Sequence, residues 1–166
     1  MPRVLSEGYS IRIAGPDDAA AIVEHRREMF RDMGRNDETK LAKMSAAFEP
    51  WVRQRMESGE YLAWMAMAAD GSIAGGAGLW LMDWPPHVIG SGARRGNILN
   101  VYVRPDSRRR GIARALMETA LEWTRENGVD CVILHASDTG RALYESLGFA
   151  ATNEMRLMGS LGGHSN

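Results

Sequence analysis

The sequence predicts an α/β fold, which some schemes class as α+β, with three layers in which helices cover both faces of a mixed sheet. In the second half of the chain, strand-like segments alternate with helical ones, which favours parallel strands joined by helices. In the first half, a hairpin pattern adds antiparallel strands. No repeat or linker divides the 166 residues, which are enough for one core. We therefore expect a single domain over 1–166, with an ordered core at about 8–158 and a flexible tail at 159–166.

One strand, two helices and a hairpin are expected in the first half. Residues 9–14 alternate as a strand does, and the Gly-Pro-Asp-Asp that follows is typical of a turn that starts a helix. The next two segments place apolar residues three and four apart, which indicates two amphipathic helices. Asp-Gly at 70–71 separates two apolar segments and favours a hairpin turn. The predicted bounds are 9–14 for the strand, 17–33 and 37–57 for the helices, and 61–69 and 73–82 for the hairpin.

The second half is expected to begin with a long loop and to continue with three strands that alternate with two helices. The loop at 83–97 is polar and rich in Gly and Pro. Apolar runs predict the next two strands, and a helical stripe follows each of them. A glycine at 148 is expected to end the second helix. The predicted bounds are 98–103, 130–136 and 150–158 for the strands, and 107–127 and 139–147 for the helices.

The composition excludes several classes of partner. The net charge of −1 and a pI near 6.4 lack the basic excess of a general nucleic-acid binder. The first fifteen residues contain no signal-peptide core, and the longest apolar run, at 61–69, is far shorter than the roughly 20 residues that cross a bilayer. Cys131, the only cysteine, cannot form an internal disulfide, which favours a reducing compartment. We therefore expect a cytoplasmic protein that binds neither nucleic acid nor membrane.

Positive charge is concentrated where the first helix of the second half begins. Arg108, Arg109 and Arg110 precede Gly111, and an apolar helical stripe follows at once. The first N–H groups of a helix have no internal partner, so they bind anions, most readily where a glycine lets a ligand approach. The segment therefore predicts a phosphate-binding loop. The alternative at this point is a solvated run of surface arginines, since runs of like charge are usually that.

Two other phosphate-binding motifs are excluded. The chain has no G-x-x-x-x-G-K-[ST] segment, which rules out a P-loop. The glycines at 90, 92 and 96 resemble a dinucleotide-binding fingerprint, but the last is one residue late, and the segment leads into a strand rather than a helix. The arginine segment is the remaining candidate for an anion site.

Two motifs of the second half resemble those of the GNAT acetyltransferase superfamily. The segment VYVRPDSRRRGIARALM at 101–117 resembles its acetyl-CoA motif, a V-x-V strand followed by [QR]-x-x-G-x-[GA] at the start of a long helix. The segment at 140–149 resembles the family signature A-x-x-L-Y-E-x-x-G-F, with Gly140 in place of the usual alanine. The motifs occur in the family's order, and the likeness covers nearly the whole chain.

The resemblance implies a GNAT-like three-layer fold whose sheet splays between the strand from Ile98 to Val103 and the strand from Asp130 to Ala136. The gap would admit the pantetheine arm of acetyl-CoA, the expected cosubstrate, and no metal is expected. Main-chain groups of Val101 and Val103 are the expected partners of that arm, and an N–H near Tyr102 or Val103 is the expected oxyanion donor. The residues expected to hold the diphosphate are Arg108, Arg109, Arg110, Gly111, Ile112, Ala113 and Arg114.

Three further side chains are expected near the thioester. Tyr144 matches the family tyrosine that donates a proton to the departing sulfur, and a phenol of pKa about 10 is protonated at neutral pH. The alternative for Tyr144 is a packed ring that only positions the sulfur. Ser137 stands where many members have an asparagine that contacts the pantetheine or the sulfur. Asn100 precedes the V-x-V strand and is expected either to face the acceptor as a catalytic residue or to fasten a neighbouring loop.

The sequence leaves the general base and the acceptor open. The candidates for the base are His87, His135, Asp83 and Glu28, beside a relay of water. An apolar acceptor pocket is expected between the first two helices and the 83–97 loop. Its candidate lining, which helical spacing also explains as core, is Met29, Phe30, Met33, Met44, Trp51, Trp80 and Trp84.

The resemblance implies an N-acetyltransferase that transfers the acetyl group of acetyl-CoA directly to a primary amine of a small molecule or a protein. A non-catalytic acyl-CoA-binding module is the alternative from another class of function. A nucleic-acid binder that uses residues 108–110 is a third hypothesis, which the balanced net charge disfavours. Similar proteins commonly form dimers, so a homodimer is also considered.

Overall fold

The computed structural model describes residues 3–90 and 92–159. Within them the chain forms one mixed sheet with helices on both faces, so the predicted fold class is confirmed. Most of the predicted flexible tail, residues 160–166, lies outside the described residues.

Six strands form the sheet in the order in which they occur along the chain. They are Arg3–Val4 (β1), Ser10–Ile13 (β2), Tyr61–Met67 (β3), Ile73–Asp83 (β4), Arg94–Val103 (β5) and Val132–Leu134 (β6). Neighbouring strands are antiparallel from β1 through β5. β5 and β6 are parallel, because a helix carries the chain back between them. The sequence did not predict the two-residue strand β1.

Four α-helices cover the two faces of the sheet. They are Ala19–Asp32 (α1), Glu38–Ser58 (α2), Ile112–Glu126 (α3) and Arg141–Ser146 (α4). α1 and α2 bury Ile22, Phe48 and Val52 against one face, and α3 buries Leu116 and Ala120 against the other. The sheet is therefore the middle of three layers. No helix within residues 3–90 and 92–159 is both long enough and apolar enough to span a membrane.

β5 and β6 separate along their length, as the resemblance implied. The register pairs Gly96 with Val132 and ends where Ile98 pairs with Leu134, whereas β5 continues to Val103. Beyond the last pair, the edge of β5 has no strand beside it in the described part of the chain. A gap therefore opens at this edge, on the side of the sheet where α3 begins.

The loops around β5 differ from the predicted bounds. β4 extends to Asp83 and β5 begins at Arg94, opposite it in the register, so the loop predicted at 83–97 shortens to 84–93. The helix predicted to start at 107 starts at Ile112. Residues 105–107 form a 3₁₀ turn, and the φ angles of Arg109 and Gly111, 62° and 74°, do not fit a right-handed helix.

The last predicted strand, at 150–158, does not form in the structure. Residues 150–159 are irregular, and Met155 and Leu157 are more than nine-tenths exposed. Their alternation with Glu154 and Arg156 is strand-like. Alternation makes a strand only where a neighbouring edge pairs with the backbone, and no strand pairs with this segment in the described part of the chain. This prediction was therefore wrong.

The buried side chain of His25 makes the stability of the fold depend on pH. Its side chain is 7% exposed, and its ring centroid lies 5.3 Å from that of Tyr102. Burial lowers the pKa of His25 from 6.5 to about 4. The unfolded chain takes up a proton below pH 6.5, whereas the folded protein does so only near pH 4. We therefore expect the free energy of unfolding to fall by on the order of 3 kcal/mol between these two values, because of this group alone.

Urea unfolding at pH 7 and pH 4.5 measures this effect. A His25→Leu variant is expected to lose the part of the decline that His25 causes, because leucine does not titrate. A His135→Gln variant is the control, since His135 is exposed and should keep the parent's decline. The same fall in unfolding free energy in the parent and in His25→Leu would contradict the assignment.

Candidate functional site

The loop before α3 leaves a row of backbone N–H groups pointing outward. Arg109 and Gly111 both have left-handed φ angles, and Gly111 caps α3 with no side-chain acceptor. The first helical N–H with an internal partner is that of Ala115, which donates to the Gly111 oxygen at 3.0 Å. The N–H groups of residues 112–114 therefore face the space in front of the helix. A Cβ on Gly111 would meet nothing within 4 Å, so this space is open to a ligand.

Two of the three loop arginines are paired with carboxylates. Arg108 donates to Asp32 at 2.5 Å, and Arg110 is paired with Glu7. Arg109 is exposed and takes part in no ion pair among the residues that the structure describes. Anion binding at this loop would therefore depend chiefly on the backbone amides. Of the three arginines, only Arg109 would bind an anion without first leaving a carboxylate of the described residues.

The edge of β5 offers main-chain groups of alternate residues to the gap. The Arg104 N–H donates to β4 at 2.8 Å, so the main chain of Tyr102, two residues earlier, faces β4 as well. Val101 and Val103 face the other way, toward the gap. The Val103 carbonyl accepts from Arg108 Nε at 2.9 Å. This arrangement favours Val101 and Val103 over Tyr102 as main-chain partners of an extended ligand.

A β-bulge lies where the gap opens. Gly76 pairs with Tyr102 and Gly78 pairs with Leu99, so β5 has one residue more than β4 between these pairs. Asn100 accommodates the difference with a φ of 56°, a conformation that Asn adopts more easily than most residues. The bulge turns the Asn100 side chain toward α1.

Both ends of the Asn100 amide are hydrogen-bonded inside the protein. Its Oδ1 accepts from Arg26 Nη1 at 2.9 Å, and its Nδ2 donates to the Tyr61 hydroxyl at 2.8 Å. Asn100 and Tyr61 are 3% and 2% exposed, and burial raises the pKa of Tyr61. Gly78 makes room for this contact, because a Cβ there would lie 2.0 Å from the Tyr61 hydroxyl. The geometry favours the alternative in which Asn100 fastens a neighbouring segment.

Tyr144 lies on α4 with its ring against Gly140. A Cβ on Gly140 would lie 2.8 Å from Tyr144 Cε2 and 3.2 Å from Ser137 Oγ, so glycine at this position lets the ring and the hydroxyl approach the same backbone. Ser137 Oγ accepts from the Gly140 N–H at 3.2 Å, which fastens the turn before α4. The Tyr144 and Phe149 ring centroids are 6.2 Å apart. Burial raises the pKa of Tyr144, so its phenol is protonated throughout the neutral range.

All the elements of this site lie in a segment that matches the model of one protein family. The model of the acetyltransferase (GNAT) family matches residues 20–149, which include the bulge, the arginine loop, α3 and α4. This chain belongs to the GNAT acetyltransferase family. The resemblance seen in the two sequence motifs is thereby confirmed.

Individual proteins agree with the GNAT assignment. A GCN5-related N-acetyltransferase from Ralstonia eutropha JMP134 is 38% identical, with a TM-score of 0.86 over 91% of this chain and 98% of that one. A "predicted acetyltransferase" from Clostridium acetobutylicum, solved with acetyl-CoA, shares the fold with a TM-score of 0.82 and 24% identity, over 95% and 99% of the two chains. Glucosamine 6-phosphate N-acetyltransferase from Trypanosoma brucei brucei is 36% identical over 88 residues, 52% of this chain and 58% of that protein. The chain thus spans less than two thirds of the length of the sequence relatives that it matches.

Three of the four candidates for the general base of this GNAT protein are exposed. His87 lies in the 84–93 loop, where its Nδ1 accepts from the Ile89 N–H at 3.0 Å. His135 follows β6 and lies 4.0 Å from Glu154. Asp83 ends β4. Among the described residues, no buried partner fixes any of these three side chains toward the gap.

The fourth candidate, Glu28, lies on α1 near β5. Burial chiefly, and then the negative charges of Asp32 and Glu28, raise the pKa of Tyr102, which places both carboxylates near that strand. Glu28 is paired with Arg31. No group of three His, Cys, Asp or Glu side chains able to hold a metal ion occurs within residues 3–90 and 92–159.

The aromatic residues predicted for the acceptor pocket lie together on the α1–α2 side of the sheet. Trp51 and Trp80 meet edge to face, with centroids 5.2 Å apart, and both are half-buried. Phe30 and Trp84 are half-buried as well, whereas Met33 is 46% exposed. Of the predicted set, Met44, Trp51 and Trp80 also pack against the core below α1 and α2. For these three residues, the core packing considered as the alternative is therefore observed.

Sequence reasoning missed three arginines on the same side of the sheet, at positions 26, 55 and 95. A signal for Arg26 was available: it stands four residues after Ile22 and four before Phe30, on the apolar stripe of α1. A charged residue in that position must find polar partners inside the protein or face a polar ligand. Arg55 likewise stands four residues after Trp51.

Proposed function

We propose that this GNAT protein is an acetyl-CoA-dependent N-acetyltransferase that transfers the acetyl group directly to a primary amine of a small molecule or a protein. One observation carries the proposal. The open amides of residues 112–114 follow the end of β5 that extends beyond its last pair with β6, next to the loop shaped by Arg109 and Gly111. A diphosphate on these amides would have its extended arm beside Val101 and Val103.

The residues present fit coenzyme A part by part. The amides of 112–114 and Arg109 would hold the diphosphate, with Arg108, Arg110 and Arg114 around them. Main-chain groups of Val101 and Val103 would pair with the amides of the pantetheine arm, as a neighbouring strand does. That a protein of the same fold from Clostridium acetobutylicum was solved with acetyl-CoA supports the choice of ligand.

The chemistry requires an oxyanion donor and a proton donor from the protein. Acetyl-CoA, when bound, supplies the acetyl group as a thioester, whose C–S bond breaks as the amine nitrogen bonds to the carbonyl carbon. The gap-facing N–H of Val103 would stabilise negative charge on the carbonyl oxygen, a contribution of about 3 kcal/mol for an aligned donor. Tyr144 would donate its phenolic proton to the departing sulfur, and the proton that the amine nitrogen loses would pass through water to restore the phenol. Asn100 would act as a positioning residue that holds the bulge, and Ser137 as one that holds the turn before α4.

A non-catalytic acyl-CoA-binding module would use the same amides and the same gap. The half-buried phenol of Tyr144 favours the enzyme, because a binding module needs no proton donor at the sulfur. We also propose a cytoplasmic location, which the single free cysteine supports. Light scattering after size exclusion would test the prediction of a homodimer.

Thermal unfolding with coenzyme A derivatives tests the proposal. Acetyl-CoA and CoA at about 100 times their dissociation constants are expected to raise the melting temperature by about 5–10 °C. Pantetheine, which lacks the diphosphate, is the matched control and should have a much smaller effect. Free thiol should then appear only when acetyl-CoA and an acceptor amine are both present. An unchanged melting temperature with CoA would contradict the proposal.

A further inference from the structure

Arginines and tryptophans share one surface on the α1–α2 side of the sheet. Each of the three guanidinium groups lies over an aromatic ring, at a distance from its centroid of 5.0 Å for Arg26 on Phe30, 4.2 Å for Arg55 on Trp51, and 3.5 Å for Arg95 on Trp84. Stacking of this kind orients a guanidinium without neutralising it. We call Arg26, Arg55, Arg95, Trp51, Trp80 and Trp84 the arginine–tryptophan surface.

The surface is continuous from α1 to β5. The ring centroids of Phe48 and Trp51 are 5.6 Å apart, and those of Trp51 and Trp80 are 5.2 Å apart. Trp80 pairs with Asn97 in the register of β4 and β5. Arg95, two residues before Asn97, projects from the same face of the sheet. The helices and the hairpin therefore bring the three arginines to one face of the sheet.

The positive charge of this surface is not neutralised by a carboxylate in the part of the chain that the structure describes. None of the three arginines takes part in an ion pair within residues 3–90 and 92–159. Burial lowers the pKa of Arg26, as expected for a cation without a nearby carboxylate. By contrast, Arg53, on the exposed side of α2, pairs with Glu49 at 2.8 Å. Two neighbouring arginines of α2 therefore differ: Arg53 is paired with a carboxylate of its own helix, whereas Arg55 has no ion pair within the described residues.

Polar atoms without partners are concentrated in the same place. Of the seven buried side-chain nitrogen and oxygen atoms without a hydrogen-bond partner in the described part of the chain, five belong to this region. They are Nε of Arg26, Arg55 and Arg95, Nε1 of Trp84, and Oδ1 of Asn97. Buried polar groups are normally satisfied, so these five atoms leave hydrogen-bonding capacity in this region that water or a polar ligand would fill.

The surface begins where the acetyl group would be held. Asn97 directly precedes Ile98, the last residue of β5 that pairs with β6. Arg26 donates to Asn100 at the bulge, 2.9 Å away. An acceptor amine that reaches the gap from this side of the sheet would therefore have the rest of its structure against the arginine–tryptophan surface.

We propose that the acceptor is a small primary amine that carries a carboxylate or a phosphate, and that Arg55 and Arg95 bind this anionic group. The inference rests on the proposed N-acetyltransferase function. The planar fork of arginine matches the oxygens of both groups, and the three unneutralised cations would repel a basic peptide. The amine would lie toward Asn97 and the gap, and the anion toward α2 and the start of β5.

Pairs of amines that differ only in the anionic group test the proposal by binding, independently of turnover. The pairs are O-phosphoethanolamine with ethanolamine, glucosamine 6-phosphate with glucosamine, and phenylalanine with phenylalaninamide. Each compound is titrated calorimetrically into protein saturated with CoA. We expect the anionic member of at least one pair to bind ten- to a hundredfold more tightly than its neutral partner. Which pair responds distinguishes a phosphate from a carboxylate.

Arg55→Gln and Arg95→Gln are the informative variants. Glutamine keeps a planar amide on the aromatic ring but removes the charge, so each variant should lose about tenfold or more in affinity for the anionic amine while its affinity for the neutral partner changes little. Arg53→Gln and Arg94→Gln are matched controls. They remove a charge from the same helix and the same strand, at exposed positions that face away from the surface, and should leave both affinities unchanged.

The outcomes separate this inference from the proposed function. If CoA does not bind at all, the proposed function fails, and this inference fails with it. If CoA binds but anionic and neutral partners bind equally in every pair, the inference alone is overturned. If both Arg55→Gln and Arg95→Gln still prefer the anionic amine, these residues do not bind the anion. The same conclusion follows if the preference falls equally in the controls Arg53→Gln and Arg94→Gln.

Discussion

Replacement of Gly111 by glutamate is expected to weaken coenzyme A binding severely. Gly111 precedes the open amides of α3 with a φ of 74°, and a new side chain there would meet no atom within 4 Å. The variant should therefore fold, at a cost of about 1–2 kcal/mol for a side chain in the left-handed region. Its carboxylate would lie where the amides attract an anion, and would repel the diphosphate. We expect the affinity for CoA, measured by calorimetry, to fall roughly a hundredfold or more.

Two variants separate charge from backbone strain. Gly111→Ala carries the same left-handed strain without charge, and should lose stability but keep most of its CoA affinity. Gly128→Glu adds the same residue beyond the other end of α3, where φ is 66° and a Cβ also meets nothing within 4 Å. It should bind CoA as the parent does. If Gly111→Glu binds CoA normally, or if Gly128→Glu weakens binding equally, the amides of α3 are not the diphosphate site.

The arginine loop shows how far the sequence alone could go. Its four residues, from Arg108 to Gly111, were enough to predict an anion site at the start of a helix, because the open amides depend only on local chain order. What the arginine side chains do could not be predicted. Arg108 is paired with Asp32, 76 residues away, and Arg110 with Glu7, 103 residues away. Partners so distant in the chain are fixed by the packing of whole elements.

The β-bulge at Asn100 is a second feature that the sequence alone could not predict. The two expectations for Asn100, contact with the acceptor and fastening of a loop, depend on which side of the sheet its side chain faces. A single extra residue in β5 decides that, since it reverses the alternation after Leu99. The sequence near Gly76 and Gly78 contains the small residues that make the bulge possible, but not its register. The partners Arg26 and Tyr61 become visible only when three elements are in place.

The tryptophans of the arginine–tryptophan surface were predicted to lie together, but its arginines were not predicted. Helical spacing placed Trp51 on the inner face of α2, and the hairpin placed Trp80 beside it. Apolar periodicity identifies apolar residues only, so it does not indicate the arginines that lie beside the tryptophans. Arg55 lies one helical turn from Trp51, and that spacing is a signal for stacking. Whether such an arginine lacks a carboxylate partner depends on the tertiary structure.

Replacement of Tyr144 by phenylalanine is expected to lower kcat about a hundredfold or more, the usual contribution of a well-placed proton donor. The substitution removes only the phenolic oxygen, so the ring keeps its contacts with Gly140 and Phe149. Affinity for acetyl-CoA should stay close to that of the parent. Burial raises the pKa of Tyr144, so the parent should show no loss of activity from this group until the pH exceeds its ordinary value near 10. Steady-state rates of thiol release across pH 6–9, with CoA affinity measured in parallel, check both points.

Tyr9→Phe is the matched control for loss of a tyrosine hydroxyl. That hydroxyl lies 3.5 Å from Ser107 Oγ, at the arginine-loop end of the site rather than beside Tyr144. The substitution keeps the ring that lies 6.0 Å from the Arg110 guanidinium, so the variant should keep the parent's kcat. If Tyr144→Phe turns over at the parent's rate, another group or water protonates the sulfur, and Tyr144 only positions it. If the parent binds CoA but neither protein releases thiol with any amine, the gap serves binding alone, and the non-catalytic module becomes the better account of this site. A loss confined to kcat in Tyr144→Phe, with CoA affinity unchanged, is the result expected of a proton donor and not of a packed ring, because phenylalanine keeps the ring.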